Sequence, residues 1–377
     1  MTKIRAAIVG TGAIAHMHAE AILAYPGAEL VAVVNRNPQR RADFAEKWNV
    51  ANSYETVEEL FDSQEIDVVH LCTPPEVHRQ QTLAAYAAGA HVICEKPPAL
   101  SLAEVDSMLK AAAEHNLFYA IVFQQRSGSA AAWVKQQLAA GTFGRPLFAH
   151  ALTLWHRDEA YYEVDWRGTW DGEGGGTTFG HGAHQMDLLA YLLGDWAEVD
   201  GRLWRLARDV EFEDTSTATI RFQNGAVATA VSTVLAPRET SHVRIDTELA
   251  TIEVEHLYGH TNANWRITPA RHVPEEVSAS WVLPEQDEGS GHIPLIRETF
   301  DAISAGAELP DLVAHQRRGL ELITALYASS TYGKPISVAD LAADERFQSH
   351  LRAEVTDLRG LISSQGAGQA TDQPTGK

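Results

Sequence analysis

The segment Gly10-Thr11-Gly12-Ala13-Ile14-Ala15 has the spacing of a phosphate-binding turn. It follows an apolar run that begins at residue 4, and it opens a helical stretch, as the GxGxxA pattern requires. In this setting Gly10 permits a tight turn and Gly12 lets a pyrophosphate approach the backbone. The phosphates would lie at the helix N-terminus, where free N–H groups favour anions. The pattern therefore predicts dinucleotide binding by Gly10, Thr11, Gly12, Ala13 and Ile14.

The end of the second predicted strand carries Asn35 and Arg36, and Arg40 and Arg41 follow shortly after. A carboxylate about 20 residues beyond the glycine-rich turn commonly binds the adenosine ribose, but none stands here. Arginines can instead bind a 2′-phosphate through forked, charge-assisted hydrogen bonds. We therefore expect Asn35, Arg36 and Arg40 to contact the cofactor and to favour NADP over NAD. The alternative is that the arginines only solvate the next helix.

His181, His184 and Asp187 form an HxxHxxD spacing. Side chains three apart on a helix share one face, so a metal site is conceivable. A histidine also titrates near neutrality and could act as an acid or base. It could equally be a buried residue at the start of the helix HQMDLL.

The elements that must position these residues change character along the chain. Up to about residue 120, buried apolar runs such as IRAAIVG, DVVHLC and HVIC alternate with helical stretches. Continuous apolar strands are typical of a parallel sheet covered on both faces. The pattern predicts a doubly wound α/β domain over residues 1–124.

From residue 125 to about 345 the pattern predicts an α+β domain with a large, mostly antiparallel sheet. The clearest signal is TSTATIRFQNGAVATAVSTV, in which Asn224-Gly225 separates two alternating runs and predicts a hairpin. We expect one helix at HQMDLLAYLLG and a late helix at about 313–332 that could pack on the first domain. The polar segment 360–377 is predicted to be disordered.

Composition narrows the classes of partner. The 377 residues carry a formal net charge of −20, which disfavours nucleic acid and anionic membranes as partners. Cys72 and Cys94 lie in apolar runs, so we expect buried thiols and a cytoplasmic protein. No run has the length of a membrane span, and no signal peptide is predicted.

Four segments together resemble the glucose–fructose oxidoreductase / inositol dehydrogenase / rhizopine-catabolism (Gfo/Idh/MocA) family over nearly the whole chain. They are GTGAIA at 10–15, CTPPEVH at 72–78, CEKPPAL at 94–100 and WRGTWDGEGGGTTFGHGAHQMDLL at 166–189. Glu95-Lys96-Pro97, directly after a buried strand, is the most specific motif. The resemblance implies a Rossmann domain followed by an open antiparallel sheet, and homodimers or homotetramers formed through that sheet.

The resemblance also implies roles for individual residues. Lys96 and His184 would be catalytic, and Glu95 and Lys96 would hold the nicotinamide ribose. The other cofactor contacts would be Thr73, Pro74, His78 and Gln124. The substrate would be framed by Trp166, Arg167 and the turn at 174–176. The chemistry of the side chains adds further candidate substrate contacts: Trp155 and Trp166 could pack on the flat face of a sugar ring, and Arg126 and Arg167 could bind a carboxylate or hydroxyls. His181 and Asp187 are also expected to contact the substrate.

One position departs from the family pattern, which usually has an aspartate four residues before the catalytic histidine. Here that residue is Gly180, followed by His181. Either His181 or a displaced carboxylate takes over the proton relay, or the chemistry is altered. His16 and His18, on the first helix, are expected to pack or to face solvent.

These features predict an NAD(P)-dependent dehydrogenase or reductase acting on a secondary alcohol or ketone of a sugar, polyol or cyclitol, without a metal. His184 would exchange the hydroxyl proton, and the Lys96 ammonium would stabilise the alkoxide. Two alternatives stay open. One is an enzyme that retains its cofactor while processing glycosides, and the other is a non-catalytic regulator that binds nucleotide or sugar.

Overall fold

The computed structural model describes residues 3–308 and 317–360. Two β-sheets, of six and nine strands, organise these residues. Within them, no helix combines the length and the apolar character that crossing a bilayer requires.

The first sheet is entirely parallel. Its strands are β1 Ile4–Val9, β2 Ala28–Val34, β3 Asn52–Tyr54, β4 Val68–Leu71, β5 His91–Cys94 and β6 Tyr119–Ile121. The connecting helices are α1 Ala13–Ala24, α2 Pro38–Trp48, α3 Val57–Ser63, α4 His78–Ala87 and α5 Leu102–His115. The strand order β3-β2-β1-β4-β5-β6 is that of a Rossmann fold, which confirms the predicted α/β class. Apolar side chains on both faces of β1 and β4 are buried because helices cover both sides of the sheet.

The second sheet is mixed but mostly antiparallel. Its strands are β7 Pro146–His156, β8 Trp196–Arg205, β9 Thr215–Phe222, β10 Val227–Thr233, β11 Leu235–Thr247, β12 Ala250–His256, β13 Trp265–Pro269, β14 Ile336–Ser337 and β15 Thr356–Asp357. The main path runs β13-β12-β11-β7-β10-β9-β8-β14, and β15 pairs with β8. The predicted hairpin forms between β9 and β10, with Gly225 at a φ of 88° in the turn. The pairs β10–β7 and β15–β8 are parallel.

The remaining helices cover one face of this sheet or return to the first unit. They are α6 Ser129–Ala139, α7 Trp170–Glu173, α8 Ala183–Leu193, α9 Glu275–Ser278, α10 His292–Ala305, α11 Arg317–Tyr332, α12 Val338–Ala342 and α13 Glu345–Ser349. A π-helical turn, Thr178–Gly182, leads directly into α8. Helix α8 is buried at all eleven positions and packs against β7, so it carries its residues into the interior.

Two late helices join the units. Helix α10 packs on α1, while α11 packs on β8 and α8 and also contacts α5. The predicted boundary at residues 124 and 125 falls in a 3₁₀ turn, Gln124–Arg126, and stays a prediction. Residues 313–316 of the predicted late helix, and all but Gly360 of the predicted tail, lie outside the described residues.

Candidate active site

The glycine-rich turn lies between β1 and α1, as predicted. Gly10 has a φ of 94°, and a Cβ there would come within 2.6 Å of the Cys72 carbonyl oxygen. Only glycine therefore fits the turn without a backbone shift. Gly12 is the N-cap of α1 and has no capping side chain, so the first N–H groups of α1 are available to an anion.

A cavity of about 320 Å³ adjoins this turn at the carboxyl edge of the first sheet. Gly10, Asn35, Arg36, Thr73 and Pro74 are among the residues that line it. Five of the predicted cofactor contacts therefore share one cavity, in the place where doubly wound sheets bind nucleotides. The polar walls and the space at Gly10 fit the adenosine half of a dinucleotide.

The Asn35 amide donates to the Thr11 hydroxyl at 2.7 Å, and Arg41 donates to the Asn35 carbonyl oxygen. Arg40 lies elsewhere, beside a second cavity that Thr11, Gly12 and Ala13 also line. Arg36 and Arg40 thus line two different cavities, and each cavity borders the glycine-rich turn.

His78 is turned into the protein. Its Nε2 lies 2.8 Å from the Thr73 carbonyl oxygen, and its Nδ1 lies 3.1 Å from that of Pro97. The buried ring connects Thr73, which lines the nucleotide cavity, to the segment that carries Glu95 and Lys96. Its predicted direct contact with the cofactor stays a prediction that this geometry does not favour.

Lys96 follows β5 and reaches across to the turn that precedes α8. Its Nζ donates to the Gly180 carbonyl oxygen at 3.0 Å. Burial lowers the pKa of Lys96, and the neighbouring Glu95 carboxylate opposes that change. The ammonium therefore lies at the junction between the first sheet and the helix that carries His184.

His184 is buried, and neither ring nitrogen has a hydrogen-bond partner among the described residues. Burial lowers the pKa of His184 well below its usual range, and the Lys96 ammonium lowers it further. The ring is therefore neutral at pH 7 and offers both a donor and an acceptor. Unpartnered buried nitrogens are rare, and they often mark positions where a ligand supplies the missing contact.

His181 lies in the π-helical turn, with its Nε2 3.4 Å from the Tyr161 hydroxyl and its Nδ1 unpartnered within the described chain. Burial and the cations Arg157, Lys96 and Arg167 lower its pKa well below the usual range. Arg167 lies over the Tyr161 ring at 3.9 Å and forms a salt bridge with Glu173. His181 thus lies between His184 on one side and the partly exposed Tyr161 and Arg167 on the other.

Trp155 supplies an aromatic wall. Its ring packs edge-on to His181 at 5.4 Å and stacks on Tyr258 at 5.7 Å. Its Nε1 donates to Ser241, so the ring is fixed. Trp166 is 36% exposed and lies beneath the Arg167 guanidinium. Both predicted tryptophans therefore belong to the same side of the site.

Arg126 and Asp187 are directed at each other instead of into the site. They form a two-point salt bridge with distances of 2.6 and 2.5 Å, and both side chains are almost completely buried. Their predicted contact with substrate stays a prediction without geometric support. The pairing also removes Asp187 from the HxxHxxD group, so that motif does not assemble three metal ligands.

The glycines at 174–176 and Gln124 were predicted to contact ligands. A Cβ at Gly176 would come within 2.2 Å of the Glu213 carbonyl oxygen, so close packing explains this glycine. Gln124 is buried, and its Oε1 has no partner in the part of the chain that the structure describes. Its turn packs against α8, so this oxygen is a candidate acceptor near the site.

Several residues of the site were not predicted. Tyr161, Arg157, Tyr258 and His292 stand in no motif, and only the folded chain brings them together. His18 was expected to pack or to face solvent, but it is buried and its Nε2 lies 3.0 Å from Glu95. The sequence feature that could have identified His18 as a site residue is its position one helical turn after the glycine-rich segment.

Comparison with known proteins agrees with the geometry. The family model for the oxidoreductase family with an NAD-binding Rossmann fold (Gfo/Idh/MocA) matches residues 4–123, and the model for the Gfo/Idh/MocA C-terminal domain matches residues 132–253. Together the two models cover more than half of the chain.

Among curated relatives, 1,5-anhydro-D-fructose reductase of Ensifer adhaerens is 31% identical over 59% of this chain, and myo-inositol 2-dehydrogenase of Thermotoga maritima is 28% identical over 59%. The aligned segments cover 66% of each relative, slightly less than two thirds of its length.

Among solved structures, the WlbA dehydrogenase from Bordetella pertussis, in complex with NADH and UDP-GlcNAcA, has a TM-score of 0.80 and 26% identity. That match covers 90% of this chain and 98% of the other. The motifs, the Rossmann strand order and the matches to both family models show that the chain belongs to the Gfo/Idh/MocA oxidoreductase family.

Proposed function

We propose that the protein is an NAD(P)-dependent oxidoreductase that acts on a secondary alcohol or ketone of a sugar, polyol or cyclitol. The observation that carries the proposal is that the partly buried Lys96 ammonium lies near enough to His184 to lower its pKa, while both His184 nitrogens are unpartnered among the described residues. The pair lies where the carboxyl edge of the parallel sheet meets the second sheet. The named relatives act on compounds of this class.

In the oxidative direction, neutral His184 accepts the hydroxyl proton of the substrate. Its lowered pKa keeps the ring in the basic form at neutral pH. The Lys96 ammonium stabilises the negative charge that develops on the oxygen. The glycine-rich turn and the cavity beside it would hold the cofactor, and an oxidised nicotinamide bound there would supply the hydride acceptor for the carbon that bears the hydroxyl. Reduction uses the same groups in reverse.

His181 takes the place of the missing carboxylate in the proton path. Gly180 offers only its backbone, but His181 is close enough to His184 for their charges to interact, and it contacts Tyr161. Tyr161 is partly exposed. The His184 and His181 rings share no direct hydrogen bond, so a proton on His184 would pass through a bridging water or substrate group to His181 and then through Tyr161 to solvent.

The preference between NAD and NADP is decided at Asn35 and Arg36. No carboxylate ends β2, and Arg36 lines the nucleotide cavity, which together favour the 2′-phosphate of NADP. Glu55 and Glu58 line the same cavity and oppose an additional phosphate. Arg36 must therefore provide most of the discrimination.

Two further features support the assembly and the location that we propose. The exposed side chains Leu147, Phe148 and Val227 lie at one end of the paired strands β7 and β10 and support a homodimer or homotetramer formed through the large sheet. Both cysteines are free and buried, which suits the reducing cytoplasm.

The test is a spectrophotometric screen at 340 nm. Purified protein is assayed with sugars, polyols, inositols and sugar acids, with NAD and NADP in parallel. We expect turnover with one class of compound, and a loss of about 100-fold or more in kcat for His184→Ala. Silence across the panel with cofactor still bound would favour the retained-cofactor alternative. Silence without cofactor binding would contradict the proposal.

A further inference from the structure

A buried cluster behind Lys96 is not used by the chemistry proposed above. The Glu95 Oε1 lies 3.0 Å from the His18 Nε2 and 2.9 Å from the His292 Nε2. The His18 Nδ1 lies 2.9 Å from the His70 Nδ1. All four side chains are buried, and they come from α1, β4, the segment after β5 and the first residue of α10.

With Glu95 ionised and all three histidines neutral, the hydrogen bonds of this cluster admit one assignment of protons. A neutral imidazole has one donor nitrogen and one acceptor nitrogen. If His18 and His292 each donate from Nε2 to Glu95, the His18 Nδ1 is an acceptor and must receive the proton of the His70 Nδ1. The His70 Nε2 is then unprotonated, and it is the nitrogen without a partner among the described residues. Each contact holds one proton, and no histidine needs a charge.

In this assignment the ionised Glu95 carboxylate accepts three hydrogen bonds. Its Oε1 accepts two, and its Oε2 accepts the backbone N–H of Lys96 at 3.1 Å. A carboxylate offers about four acceptor sites, so one is left for a ribose hydroxyl. Burial alone would raise the pKa of Glu95, but the hydrogen bonds from His18 and His292 hold it well below its usual range.

We propose that His18 and His292 are positioning residues that fix the Glu95 carboxylate, and that Glu95 in turn fixes Lys96 through its backbone N–H. The main task of Glu95 is thus to anchor the catalytic lysine, and one acceptor site stays available for the contact with the nicotinamide ribose that the family resemblance implies. This inference rests on the proposed function for its kinetic consequence only, because the hydrogen-bond assignment holds with or without turnover.

The anchor also joins distant parts of the chain. His18 lies two turns into the helix that follows the glycine-rich segment, while His292 begins the helix that packs on it. Both donate to one oxygen atom, so Lys96 is positioned only when α10 is docked on α1. Displacing a catalytic group by about 1 Å can cost about 100-fold in rate.

The direct test is nuclear magnetic resonance on protein labelled with ¹⁵N at histidine, with His18→Gln, His70→Gln and His292→Gln used to assign the signals. We expect neutral rings protonated at Nε2 for His18 and His292 and at Nδ1 for His70, with slowly exchanging ring protons. Any other tautomer at His18 or His292, or a stoichiometric divalent metal found in the purified protein, would overturn the assignment. Neither readout depends on catalytic activity.

The kinetic test compares His292→Phe with His292→Gln, whose amide can still donate to Glu95. We expect His292→Phe and Glu95→Gln to lower kcat by about 10- to 100-fold while the KM for cofactor changes less than about threefold, and His292→Gln to retain most of kcat. The matched control is His256→Gln, a buried histidine without a hydrogen-bond partner among the described residues. A rise in the cofactor KM with kcat unchanged in Glu95→Gln would instead identify Glu95 as a ribose ligand.

Discussion

The Lys96 ammonium donates a hydrogen bond to the Gly180 carbonyl oxygen across 3.0 Å. Because Lys96 follows a strand of the parallel sheet and Gly180 precedes α8, this one contact connects the two halves of the candidate active site. An ammonium has three donor hydrogens, so Lys96 can keep this contact and still donate a hydrogen bond to a substrate oxygen.

Replacing Lys96 by methionine should therefore affect the chemical step most. We expect kcat to fall by about 100- to 1,000-fold because the alkoxide loses its electrostatic partner. Steady-state kinetics with the substrate found in the screen measures this loss. Lys135→Met, on the surface of α6, is the control for the loss of a positive charge. A kcat within threefold of the wild type would remove Lys96 from the mechanism.

Gly180→Asp should be tolerated and should shift the pH profile. A Cβ at Gly180 meets no atom within 4 Å, so the side chain has room. A carboxylate there would offset the effect of Lys96 and raise the pKa of His184, which moves the acidic limb of kcat/KM to higher pH. In Gly180→Asn the side chain has the shape of aspartate without its charge, so the acidic limb of kcat/KM should stay at the pH of the wild type. An equal shift in both variants would show that the effect is not electrostatic.

Arg36→Ala should reduce the proposed preference for NADP. Loss of a charge-assisted contact of about 1.5–3 kcal/mol corresponds to a decrease of about 10- to 100-fold in kcat/KM for NADP. The value for NAD should change less than threefold. Kinetics with both cofactors measure the ratio, with the exposed Arg238→Ala as control. Equal losses for both cofactors would show that Arg36 does not contact the 2′-phosphate.

Breaking the salt bridge between Arg126 and Asp187 should destabilise the fold. Arg126→Met leaves a buried carboxylate unpaired, at a cost of about 3–5 kcal/mol in the free energy of unfolding. Replacing both partners, as Arg126→Met with Asp187→Leu, should recover most of that loss. Urea unfolding measures both changes. A double variant as unstable as the sum of the single variants would contradict this assignment.

The buried histidines should make the protein sensitive to mild acid. Burial lowers the pKa of His256 to about 3 and that of His260 to about 4, and it also lowers those of His18, His70 and His78. Below a pH of about 6.5 the unfolded chain therefore binds protons that the folded chain excludes. The free energy of unfolding should therefore decrease as the pH is lowered through this range, by up to ~1.4 kcal/mol per pH unit for each such histidine.

Urea unfolding at pH 8, 6 and 5 measures this dependence. His256→Gln combined with His260→Gln should reduce the slope, since glutamine does not titrate. A free energy of unfolding that is constant between pH 8 and pH 5 would contradict the neutral state assigned to the buried rings.

The fold was predictable where local pattern and packing agree. Continuous apolar strands identified the parallel sheet, and Asn224-Gly225 identified the hairpin, because both signals act over a few residues. The substrate side of the site was less accessible to such reasoning. Arg126 looks like a substrate contact in the sequence, but its partner Asp187 stands 61 positions away. His292 reaches Glu95 across 197 positions. Only long-range packing determines such pairs.

The π-helical turn at Thr178–Gly182 holds one residue more per turn than the α-helix it leads into. Each residue of an α-helix advances the chain by about 100° around the axis. Removing a single residue from this stretch would therefore rotate Gly180 and His181 by about 100° around the helix axis relative to His184. The Gly180 carbonyl oxygen would then no longer face Lys96, so a deletion of one codon would break the contact between the two halves of the candidate active site without changing Lys96 or His184.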